Sequence, residues 1–69
     1  MNKNEHLLTC LIEECAEIQQ AVAKALRFGL DDGHPDGTTT NAQDIQKEIT
    51  DLWVVVELLH EEKILSIPR

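Results

Sequence analysis

Leu11-Ile12-Glu13-Glu14-Cys15-Ala16-Glu17-Ile18 sets the reading of this chain, because Ile45-Gln46-Lys47-Glu48-Ile49-Thr50-Asp51-Leu52 repeats its pattern. Both octets run apolar, x, x, Glu, apolar or Cys, x, acid, apolar. Residues three and four apart share one face of a helix. Each octet therefore carries two carboxylates along one edge of an apolar stripe. Two such helices packed through their stripes bring four carboxylates together, which is costly unless a cation neutralises them.

Outward from the first octet, Leu7, Leu8, Leu11, Cys15, Ile18, Val22, Ala25 and Leu26 recur at helical spacing. The spacing predicts a helix over about 5–28, with Asn4 as its cap and Gly29 as the residue that ends it. With Leu11 at zero, Glu14 falls at about -60° and Glu17 at about -120°, on the flank of the stripe, and Glu13 lies nearer the back. Ala21 and Lys24 continue that flank. The small Ala21 leaves room beside the acids, and Lys24 can lean over them.

Asp31-Asp32-Gly33-His34-Pro35-Asp36-Gly37 is dense in turn formers. It predicts a loop over about 29–40, with His34 exposed in it and Thr40 or Asn41 capping the next helix. Asp31, Asp32 and Asp36 lack the spacing and final Glu of a calcium loop. The second helix, about 41–62, carries Ile45, Ile49, Leu52, Val56 and Leu59 at the same spacing. Val54-Val55-Val56 alone favours a strand, and the surrounding period overrides it. The expectation is an all-α chain, an antiparallel helical hairpin that assembles into a bundle by oligomerisation.

Sixty-nine residues give one small domain with a marginal core, and one Trp, one Phe and no Tyr make that core aliphatic. A partner copy is expected to cover the remaining stripes, with Trp53 as a subunit contact. The net charge is -7, and five of the thirteen acids sit in the octets. That balance argues against nucleic acid or an anionic membrane as partner. Cys10 and Cys15 fit no zinc pattern and lie on different sides of a helix, so reduced thiols in a cytoplasmic protein are expected. No apolar run approaches the ~18 residues of a membrane span.

Glu14, Glu17, Glu48 and Asp51 offer oxygen ligands only, which suits Mg²⁺ or Mn²⁺. A di-iron bundle would need Glu-x-x-His motifs, and His6, His34 and His60 stand elsewhere. From the pattern alone, a metal site and a row of solvated charges beside a subunit seam remain equally open, although a seam usually alternates its signs.

The sequence Glu13-Glu14-x-x-Glu17 followed by Glu48-x-x-Asp51 resembles the EExxE…ExxD signature of the MazG-like, all-α nucleoside triphosphate pyrophosphohydrolases. Lys24-Ala25-Leu26-Arg27-Phe28-Gly29 and Thr40-Asn41 read like the small, phage-type members, and the resemblance covers about residues 7 to 60. It implies a helical, oligomeric Mg²⁺ enzyme that cleaves a nucleotide substrate between its α and β phosphates, releasing monophosphate and pyrophosphate. By motif position Glu14, Glu17, Glu48 and Asp51 would hold the metal. Glu13 would orient or deprotonate the attacking water, or act as a peripheral ligand. Lys24 would neutralise a phosphate, against the plainer role of a solvated lysine.

Asn41 would touch the nucleotide, against a plain helix cap, and Phe28 would stack on a base, against a helix-end core residue. Two departures accompany the resemblance. The interval from Glu17 to Glu48 is a little longer than usual, which the Gly/Asp-rich loop absorbs. Many relatives also continue into a helix whose Lys and Tyr side chains hold phosphates, whereas this sequence stops at Arg69. A further helix or another subunit would supply that wall. The competing expectation is a non-catalytic helical assembly or regulatory module that keeps the scaffold.

Overall fold

The computed structural model describes residues 1–33 and 35–68, and the expected exposure of His34 lies outside them. Two helices, α1 (Lys3–Phe28) and α2 (Asn41–Glu61), pack against each other as a hairpin. The start of α1 is set by Asn2 rather than Asn4. The Asn2 side chain accepts from Glu5 N–H at 2.8 Å, and Glu5 accepts from Asn2 N–H at 3.2 Å. This reciprocal pair needs Glu or Gln three residues after the cap. Asn2 has it in Glu5, whereas Asn4 has Leu7. Gly29 ends the helix with φ 102° and donates its N–H to Ala25 O at 2.7 Å.

The connecting loop satisfies the open N–H groups of α2. Thr40 Oγ1 accepts from Gln43 N–H, and the Gln43 side chain accepts from Thr40 N–H at 2.9 Å. Asn41 N–H donates to Asp32 O and Ala42 N–H to Leu30 O, so loop carbonyls take donors that a helix start leaves free. Gly33 bridges to Thr40, and a Cβ on Gly33 would lie 1.9 Å from Thr39 O. Only glycine permits that approach.

After α2, Lys63 takes φ 59°, Lys63 N–H donates to His60 O, and Ile64 N–H donates to Leu59 O. These bonds form a Schellman ending, whose usual companion is an apolar contact from the residue after the left-handed one. Ile64 makes that contact by packing on the cluster of Leu7, Val55 and Leu59, which Cys10 and Leu11 also join.

The buried line differs from the expected stripes. Leu7 and Ala25 of α1 and Val55 and Leu59 of α2 are buried, while Leu8, Val22, Leu26 and Ile49 are exposed. Each helix has turned toward its acidic flank, so Glu14 and Glu48 become half-buried. An apolar stripe this wide exceeds what one neighbouring helix covers, and the edge away from the acids stays open. Trp53 also points outward, 54% exposed. Among the described residues no helix is long and apolar enough to cross a membrane.

Candidate functional site

The turn of both helices toward their acids builds the site. Glu14, Glu17 and Glu48 each place a carboxylate oxygen within 4.8 Å of the others. Glu14 Oε2 and Glu48 Oε2 are buried without a hydrogen-bond partner. A buried carboxylate oxygen with nothing to accept from is costly. Glu48 bears this cost visibly. The neighbouring Glu17 carboxyl, together with burial, raises the Glu48 pKa above the usual carboxylate range, against the pull of nearby Lys47.

The remaining motif acids stand apart from this group of three. Asp51 Oδ2 is held by Lys47 Nζ at 2.9 Å, one helical turn away on α2. That hydrogen bond, with the attraction of Asp51 and then Glu48, raises the Lys47 pKa. Glu13 is exposed and lies outside the group.

Toward the loop the acids open onto a cleft of about 590 Å³, whose lining includes Glu17, Glu48, Lys24, Asn41, Asp44 and Lys47. Ala21, half-buried, also lines it. Asn41 is 1% exposed; its Nδ2 donates to Gly29 O at 2.9 Å, and its Oδ1 is buried without a partner. Thr40 makes the cap that was also open to Asn41, and the Asn41 side chain is tied to the loop instead. Phe28 is neither core nor cleft wall. It is 53% exposed, with the Arg27 guanidinium 5.0 Å from its ring centre. Cys10 packs on the core with its Sγ 3.8 Å from His6 Nε2, and both cysteines are free.

Sequence reasoning missed Lys47 and Asp44. The signal for Lys47 was present, since a lysine four residues before an acid on a helix pairs with it. Asp44 carries no such mark; it is placed by Thr39 Oγ1, which donates to it at 2.9 Å.

Chemically, the site joins oxygen donors suited to a hard divalent cation to a cleft that offers ammonium groups, with the buried amide of Asn41 in its wall. No protein-family model, curated protein or solved structure matches this chain.

Proposed function

We propose that the chain is a Mg²⁺-dependent nucleotide pyrophosphohydrolase, as its resemblance to the MazG-like enzymes implies. The observation that carries this reading is the pair of buried, unpartnered oxygens, Glu14 Oε2 and Glu48 Oε2, within a three-carboxylate group that opens onto a cleft. A cation would satisfy both oxygens, and Mn²⁺ would serve in place of Mg²⁺. Glu14, Glu17 and Glu48 would hold it, with Asp51 joining once released from Lys47. When bound, the cation offsets charge on the departing phosphates and lowers the pKa of coordinated water.

The residues of the chain then divide the work. Lys24 takes a phosphate oxygen at the cleft wall, and Asn41 Oδ1 accepts from a donor on the nucleotide. Water adds to the α-phosphorus, the bond from that phosphorus to the α–β bridging oxygen breaks, and pyrophosphate departs with the electron pair. The proton lost by water passes to a carboxylate facing the cleft. Glu13, on the outer side of α1, has a peripheral part. A partner copy belongs to the same reading, because Ile12, Leu26 and Trp53 stand 71%, 85% and 54% exposed, and two helices alone leave that apolar edge in water.

The test is product analysis with Mg²⁺ across ribo- and deoxynucleoside triphosphates, with Glu48→Gln alongside. Monophosphate plus pyrophosphate is expected, reduced more than about a hundredfold in the variant, beyond the range for a merely supporting residue. Diphosphate plus inorganic phosphate, or equal rates in both proteins, would reject the proposal. A non-catalytic module would show no turnover and no response of folding to the cation.

A further inference from the structure

Lys47 stands where the acidic group meets the cleft. Its Nζ lies 2.9 Å from Asp51 Oδ2 and 3.8 Å from Glu48 Oε1, and the same side chain lines the cleft with Lys24 and Asn41. Its pairing with Asp51 is an i,i+4 contact on α2, made without help from α1. The Lys47 side chain is 69% exposed, and a pair so open to water shifts an equilibrium by no more than about fivefold. Such a contact is easily exchanged. Asn41, also in the cleft lining, is 1% exposed and leaves its Oδ1 unpartnered. Buried acceptors are normally satisfied.

We propose that Lys47 is an exchangeable counter-ion, which holds Asp51 in the cation-free protein, yields that carboxylate to a divalent cation, and turns its ammonium to a phosphate oxygen in the cleft. The inference rests on the pyrophosphohydrolase reading for the presence of a cation and a polyphosphate. Its physical basis is charge order. A divalent cation attracts Asp51 with twice the charge of the lysine and repels the ammonium. The lysine stem is flexible and its head has three rotatable donors, so it can leave Asp51 without backbone movement. The phosphate then gains a donor that the cation-free protein withholds. Cation and polyphosphate thereby tighten each other's binding, as linkage requires.

The test is calorimetry, first with Mn²⁺ alone and then with inorganic pyrophosphate added to Mn²⁺-loaded protein. Lys47→Met is expected to bind Mn²⁺ about three- to fivefold more tightly than the unaltered chain, because the competitor is gone. In an Asp51→Asn background the gain should shrink to what the Glu48 contact and the repulsion of the ammonium leave, since the double-mutant cycle isolates the pair with Asp51. Mn²⁺-loaded Lys47→Met should bind pyrophosphate about tenfold more weakly, the loss of one charge-assisted hydrogen bond. Lys47→Arg should stay close to the unaltered protein. Unchanged or weaker Mn²⁺ binding in Lys47→Met would overturn the proposal. So would a gain that persists undiminished beside Asp51→Asn, or pyrophosphate binding indifferent to Lys47. Mn²⁺ bound through Glu48 while Lys47 has no influence removes this inference alone. Mn²⁺ binding that is absent, or unaffected by Glu48→Gln, removes the pyrophosphohydrolase reading and this inference with it.

Discussion

Where α1 begins and α2 ends, the helices meet through Leu7, Leu11, Val55 and Leu59, closed off by Ile64. Toward the loop they flank a cleft lined by Ala21 and Asn41, with Ala25 buried on α1 and Glu14, Glu17 and Glu48 midway. The first region fills its space with branched aliphatic side chains. The second substitutes alanines and carboxylates beside a cleft of about 590 Å³ lined largely by charged side chains, whereas the cleft of about 580 Å³ next to the first lies outside the helix contact, along the turn from His60 to Ser66. Both halves use the same helical period, so the period sets which residues face the partner helix. Side-chain volume and charge then set whether that face closes or stays open to a ligand. Stability should therefore reside at the aliphatic end, and ligand response at the carboxylate end.

Leu59→Ala is the largest expected disturbance. Leu59 is fully buried, and truncating such a leucine costs about 2–5 kcal/mol, a large share of the marginal stability of a small domain. Urea unfolding measures it. Leu26→Ala, at 85% exposed, should stay within about 0.5 kcal/mol in dilute solution. A larger, concentration-dependent loss there would sharpen the comparison by showing that a second copy covers the outer edge.

At the other end, Asn41→Ala should cost about 1 kcal/mol, through loss of the bond to Gly29 O. Nucleotide affinity should fall more than folding stability does. Equal losses of the two would make Asn41 a structural tie and weaken its place in the cleft.

Lys63→Gly is expected to stabilise by about 0.5–1 kcal/mol, because φ 59° suits glycine better than lysine. A rise in Tm would check it, and a fall would show that the lysine side chain contributes to the C-terminal end of α2.

Smallest is the cation-free effect of Glu48→Gln on stability, since water screens a pair that is not fully enclosed. The Glu48 pKa is raised in the folded chain, so its contribution is full below the unfolded value and lost as pH rises through the folded one. The variant should melt higher than the unaltered chain at pH 8, and the gap should close in acid. Saturating Mg²⁺ should reverse the order at pH 8, because a cation stabilises only the chain that binds it. Melting curves at two pH values, with and without Mg²⁺, would break the comparison if the acidic end proved indifferent to both.

Much of this molecule was legible in its residues. The helical period in both halves, Gly29 as a stop and the turn formers from Asp31 to Gly37 fixed two helices and a loop, because these signals act within a few residues of themselves. The acidic octets likewise marked Glu14, Glu17 and Glu48, since identical angles on two antiparallel helices must meet if the helices pack through that flank. Only the tertiary structure decided that they pack through that flank. The apolar stripes are wider than one helix contact, and sequence alone gave no reason for Leu8, Val22 and Leu26 to be the edge left exposed. Asp51 and Asn41 show the same limit. A local lysine draws Asp51 aside, while a loop carbonyl twelve residues back holds the buried Asn41 side chain. Burial and partner choice are settled by what the rest of the chain brings near, which no local pattern contains.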